Sequence, residues 1–228
     1  MILLLNCMSN IEQIKIVRSE RRSIAIVVLP TGTVEVKAPR FLPDFAIRSF
    51  IKSRSRWIEE RLVFLKKNSA PKREFAEGEK YMFLGKEYQV EFGNYIYIEI
   101  KEDKLLFPLG MKSTGKLALE KWYIKQAKIT IKNLVDEYVK IIGTSYNGIS
   151  FSDTRSKWGS CTSDNRLQFN WRLIMAPLLV IRYVVIHELI HTINKSHSAI
   201  FWNKVRKVNP SYKQQIRWLK LNGDKLNI

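Results

Sequence analysis

A chain of 228 residues, 46% of them hydrophobic, has an ordinary globular composition and can bury either one substantial core or a catalytic domain with a small β-rich partner. Its formal net charge of +18 favours anionic partners such as nucleic acid, but no basic tail or block concentrates it, so a basic surface without a dedicated partner explains it equally well. Two cysteines, Cys7 and Cys161, exclude a disulfide framework, and the apolar opening MILLLNCM lacks the basic region of a signal peptide and the length of a membrane span, so a cytoplasmic protein with no membrane partner is expected.

Residues 11–37 read as strands: IEQIKIV, a charged turn at SERR, SIAIVVL, a PTG turn and the alternating TVEVK, together a meander. Helical periodicity follows over residues 41–67, with Phe45, Ile47, Phe50, Ile51, Trp57, Ile58, Leu62 and Leu65 as apolar positions, in one helix or in two broken near 53–55. Its basic, Trp-bearing face is better explained as a solvated surface over a packed Trp57 than as a phosphate contact. Residues 68–79, rich in charge and proline, read as a connector. YMFLGKEYQVEFG and YIYIEIKEDKLLFPL then alternate like strands, and their aromatics suit the inner face of a sheet better than base stacking.

The longest helical stretch, residues 113–142, ends at Gly143 and opens the expected C-terminal domain. GISFSD at 148–153 and RLQFNWRL at 166–173 are predicted strands joined by the loop TRSKWGSCTSDN. An extended peptide is held most cheaply by adding it as one more strand to a sheet edge. Asn170 and Arg172 on the second strand, with Arg155, Lys157 and Trp158 on the loop, are therefore candidate substrate contacts; packing and solvation explain them equally well. Cys161 is better explained as a small buried residue than as a nucleophile or metal ligand.

Pro177 suits the first turn of a helix, and LLVIRYVVI after it is apolar enough to be buried. This helix leads into VVIHELIHTINKSHSAIFW at 184–202, which holds all three histidines of the chain. His187 and His191 stand four apart and project from one helical face, and Glu188 completes HExxH, the pattern of two zinc ligands with an adjacent carboxylate base. His197 follows six residues after His191, with Asn194, which tolerates a left-handed backbone, where the chain should turn. Beyond Asp164 the only acidic residues are Glu188 and Asp224, so His197 is the favoured third ligand over an upstream carboxylate or Cys161. The spacing is that of the metzincins with Asn194 for their glycine, but their downstream methionine is missing, the last methionine being Met175. FWNKVRKV and residues 212–221 are predicted helices that close the core around the ligand.

TRSKWGSC at 154–161, NWRLIMAP at 170–177, YVVIHELIH at 183–191 and HSAIFW at 197–202, in this order and spacing, resemble the YgjP-like zinc metallopeptidases. VEVKAPR, RWIEE and FLGKEY extend the resemblance more loosely over nearly the whole chain, and the family is more distantly similar to SprT and Wss1-type proteases that act on DNA-bound protein. The resemblance implies a zinc-dependent peptidase fold with His187, His191 and His197 as ligands and Glu188 as catalytic base; the family's usual asparagine before the third histidine is Ser196 here.

The expected architecture is α+β, with a β-rich region containing helices over residues 1–110 and a zincin-like catalytic domain over 111–228, its HExxH helix beside a small sheet. The expected function is zinc-dependent (Zn2+) hydrolysis of a peptide or protein substrate, with Glu188 as general base. The alternatives are a nucleic-acid-associated protease or adaptor, and a non-catalytic protein whose zinc is structural.

Overall fold

Two compact units divide the chain, Met1–Pro71 and Lys72–Ile228. The structure, a computed structural model, describes residues 14–29, 31–68, 75–154 and 156–228, with the side chains of 64 and 66–68 left out. Cys7, the first strand's opening at 11–13, Pro30 of the PTG turn, residues 69–74 of the connector and Arg155 lie outside the described residues.

In the first unit β1 (Lys15–Ser19), β2 (Ala25–Val28) and β3 (Val34–Pro39) form a sheet in the order β1-β3-β2, with β1 parallel and β2 antiparallel to β3. This corrects the meander, which would have put β2 in the middle. Val34, Val36 and Ala38 give β3 a buried face, whereas β1 is largely exposed and suits an edge. Arg18 of β1 fixes the arrangement by donating to the carbonyls of Arg40 (3.0 Å) and Leu42 (2.6 Å) and pairing with Asp44. Helices α1 (Asp44–Ser53) and α2 (Ser55–Asn68) break at Arg54, and Ile47, Ile51 and Ile58 join the β3 valines in one core. Trp57, expected to be packed, is 47% exposed because its neighbour Ile58 takes the inward position.

The second unit opens with β4 (Lys80–Phe83), β5 (Lys86–Gly93), β6 (Glu99–Lys101) and β7 (Lys104–Pro108) in the order β4-β5-β7-β6, where β5 and β7 run parallel. A 3-10 turn (Leu109–Thr114) leads into α3 (Gly115–Ile142), which Gly143 ends in the left-handed conformation (φ +72°) with its N–H on the Val139 carbonyl at 3.0 Å. The boundary expected at residue 110 falls inside this unit. Tyr81, Val90, Leu105 and Phe107 of the sheet share a core with α3 and the helix over residues 178–193, and Tyr123 of α3 donates to the Met82 carbonyl at 2.6 Å.

A second sheet, order β8-β10-β9, combines β8 (Gly148–Ser152), β9 (Gly159–Cys161) and β10 (Arg166–Asn170). β10 is parallel to β8, antiparallel to β9 and has no free edge; β9, expected as loop, is an edge strand. The strand predicted to reach residue 173 stops at Asn170, whose side chain accepts from the Arg172 N–H at 2.9 Å and turns the chain into a 3-10 segment (Trp171–Met175). Leu167, Phe169, Trp171 and Leu173 are all buried, so the periodicity survives the change of backbone.

Helix α4 (Leu178–Ile193) is apolar nearly all round and runs through the core with α3 packed against it, followed by α5 (Ala199–Val208) and α6 (Tyr212–Asn222). Its start is buttressed by the β4–β5 turn: Leu84 and Gly85 donate to the Ile174 and Met175 carbonyls (2.8 and 3.1 Å), and a methyl on Gly85 (φ +82°) would lie 2.8 Å from Pro177. Among the described residues no helix is long and apolar enough to cross a membrane.

Candidate metal centre

His187 and His191 lie one turn apart on α4, and the helix ends at Asn194, whose N–H still bonds the Ile190 carbonyl at 2.9 Å. The left-handed turn expected at Asn194 is not formed; its backbone is extended (φ −150°, ψ 102°). The side chain makes the turn instead, its Oδ1 accepting from the Ser196 N–H at 3.3 Å and hydroxyl at 3.4 Å. Ser198 then caps α5, accepting from the Phe201 N–H at 3.4 Å, and between these two devices the loop presents His197.

The three imidazoles converge. His197 Nε2 is 3.0 Å from Nε2 of both His187 and His191, and the candidate donor atoms of the three residues all lie within 4.8 Å of one another. The outer nitrogens face polar groups: Nδ1 of His191 the Asn194 carbonyl at 3.1 Å, Nδ1 of His187 the Tyr183 hydroxyl at 3.4 Å. A carbonyl only accepts, so His191 carries its proton on Nδ1 and turns a lone pair inward. The neutral rings can supply at most one hydrogen to join His197 to two such neighbours, an arrangement a shared cation satisfies. Nitrogens about 2.1 Å from one tetrahedral ion stand roughly 3.4 Å apart, close to the spacing here. Burial, with lesser contributions from His191 and His197, pushes His187 down to about 3, and burial also lowers His191, so both stay neutral as ligands must. The His197 ring stacks on Trp202 (5.7 Å, 24°), which stacks on Tyr212 (5.4 Å, 21°).

Glu188 is 5% exposed, and its carboxyl is pushed up to about 7 by burial against the opposing pull of Lys157. It packs on β9: a methyl on Gly159 would meet its Cγ and Oε1 at 2.7 Å. A carboxyl poised near neutrality beside a three-histidine cluster has the properties of a general base.

The other candidates occupy different places. Asn170 is buried, donating its side-chain N–H to the Thr154 carbonyl (2.8 Å) and its backbone N–H to the Trp158 carbonyl (2.9 Å). Arg172 pairs with Asp153 and lies over the Trp171 ring at 4.2 Å. Trp158 packs on the backbone of Gly223 and joins the core periphery. The free edge beside α4 belongs to β9. Cys161 stands outside the metal group found among the described residues; burial pushes its thiol up, and its sulfur lies 3.5 Å from Lys195 Nζ. Tyr183 turns its hydroxyl to the outer nitrogen of His187. Sequence reasoning missed Gly159 and Lys195, for which the only signals were a glycine between Trp158 and Ser160 in the TRSKWGSC block and a lysine in the loop between His191 and His197.

An α+β fold that converges three imidazoles beside a buried carboxylate has the build of a metallopeptidase. The model of the family described as the YgjP-like metallopeptidase domain matches residues 22–222, and the chain belongs to that family. A search of curated proteins finds no match. Among solved structures, the metallopeptidase zymogen of Pyrococcus abyssi abylysin is similar at 20% identity over 40% of this chain and 92% of that one, with a TM-score of 0.36. That of Methanocaldococcus jannaschii jannalysin is similar at 22% identity over 39% and 94%, with a TM-score of 0.34.

Proposed function

We propose that the chain is a zinc-dependent peptidase in which His187, His191 and His197 hold the ion and Glu188 is the general base. The approach of the His197 Nε2 to both helical histidines at 3.0 Å carries the reading. Three protein ligands leave a coordination position for water or substrate, whereas structural zinc normally takes four. When bound, zinc supplies Lewis acidity, activating water and polarising the scissile carbonyl.

Glu188 takes a proton from the attacking water and delivers it to the leaving amine. Its raised carboxyl suits both halves of that task near neutral pH. The Gly159 backbone limits where the carboxylate can go. The edge of β9, unpaired among the described residues, would accept an extended peptide as a further strand, so substrate would lie along the rim that also confines the base. Tyr183 and the Asn194 carbonyl hold the His187 and His191 rings through their outer nitrogens.

The reading is tested by metal analysis of the purified chain with a peptide-library cleavage assay on wild type and Glu188→Gln. Zinc in both and cleavage by wild type alone is expected. A zinc-free wild type, or full turnover in Glu188→Gln, would remove it.

A further inference from the structure

His187 and His191 are fixed by the buried helix α4, but His197 sits on an exposed loop, so its position depends on what holds residues 194–198. In the middle of that loop Lys195 reaches the β9–β10 hairpin. Its Nζ lies 2.7 Å from the Thr162 carbonyl, 2.6 Å from Asn165 Oδ1 and 3.5 Å from Cys161 Sγ. An ammonium has three donors and no acceptor, and here each donor has a partner. Ordinary surface lysines are not caged in this way.

The hairpin is a firm anchor. Thr162 and Arg166 close it through N–H to carbonyl at 3.0 Å, Asn165 N–H bonds the Thr162 carbonyl at 3.1 Å, and Asn147 N–H bonds the Asn165 carbonyl at 2.9 Å. The same hairpin carries Gly159, which packs on Glu188. The contacts therefore close a circuit from α4 through the His197 loop, Lys195, the hairpin and β9 back to Glu188 on α4.

We infer that Lys195 is a positioning residue: it fixes the third-ligand loop on the β9–β10 hairpin, so that His197 and the substrate rim hold one relative placement. This rests on the proposed metal reading. Lys195 directs its donors to Thr162, Asn165 and Cys161 and would act through His197, which makes metal affinity the property it controls.

The test compares zinc affinity, by chelator competition on the full metal-free chain, in wild type, Lys195→Met, Asn165→Gly and the double variant. Glycine adopts the positive φ of Asn165 (+63°), so that change removes the acceptor and reads the same bond from the other end, even if Lys195→Met folds poorly. Lys195→Met is expected to bind zinc about tenfold more weakly, in the range of losses seen when a ligand's supporting partner is removed. Asn165→Gly should lose less, the double variant no more than Lys195→Met, and thermal unfolding of the metal-free forms should be unchanged, which separates positioning from general stability. Wild-type affinity in both single variants, or losses that add in the double, would overturn the tether while leaving the zinc site standing. A wild type that binds no zinc would remove the site and the tether with it.

Discussion

Gly159 and Glu188 leave no room between them: a methyl on the glycine would stand 2.7 Å from both Cγ and Oε1 of the carboxylate side chain. Gly159→Ala therefore has to move the base or the rim strand. Overpacking of this kind costs about 1–3 kcal/mol, and a 1 Å displacement of a reacting group can cost about 100-fold in rate. The variant is expected to keep its zinc and lose at least that much in kcat. Metal content and turnover measured on one preparation decide it, and near-normal turnover counts against the role given to Glu188.

Glu188→Gln and His187→Ala should separate chemistry from metal binding. The first retains all three imidazoles and is expected to bind zinc normally while kcat falls by about 10²–10⁴, the contribution typical of general base catalysis. The second removes a buried ligand and should lose both zinc and hydrolysis. Metal analysis of the two variants side by side distinguishes them.

Stability of the metal-free protein should depend on pH through the same two residues. Burial raises the Glu188 carboxyl to about 7 from an ordinary 4.5, so between these values the folded chain holds a proton that the unfolded chain has released. Its stabilising contribution is complete below pH 4.5 and is lost as pH rises through 7. His187 is pushed down to about 3 from 6.5, so its contribution is present above pH 6.5 and is lost as pH falls towards 3. Metal-free Glu188→Gln should then be more stable than wild type at pH 8, by roughly 3 kcal/mol, with the difference disappearing near pH 4. Denaturant unfolding of both proteins at the two pH values measures this.

Removing the ion should abolish cleavage and lower the unfolding temperature, and added zinc should restore both. At zinc 100-fold above the dissociation constant the expected stabilisation is about 2.7 kcal/mol. Calorimetry with and without chelator tests it, and unchanged stability on chelation would argue against binding by the three histidines.

The cluster was legible because its chemistry is written locally: HExxH fixes two rings and a carboxylate by helical geometry, and the buried run after Pro177 supplies the helix. His197 needed only elimination. The N-terminal strand order was not legible, since alternation marks which residues face inward but not which strand is central, and the Arg18 contacts that place β1 beside β3 link residues more than 20 positions apart. β9 was hidden for a different reason. Three residues, Gly-Ser-Cys, are too few to alternate, and the glycine that weakens the strand signal is the one Glu188 requires. At Asn194 residue type suggested a left-handed backbone, whereas the Asx turn to Ser196 let the backbone stay extended.

Stacking on Trp202, itself stacked on Tyr212, limits how the His197 ring can turn, while the Lys195 contacts place its loop, so the proposed nitrogen cage would stand before any ion arrives. A stiff cage of nitrogens rejects calcium and magnesium, hard ions that prefer oxygen, but has no comparable defence against copper, which stands above zinc in the Irving–Williams series. On the proposed reading, occupancy in a living cell would be decided by which borderline metal is supplied and how the others are buffered, rather than by the pocket itself.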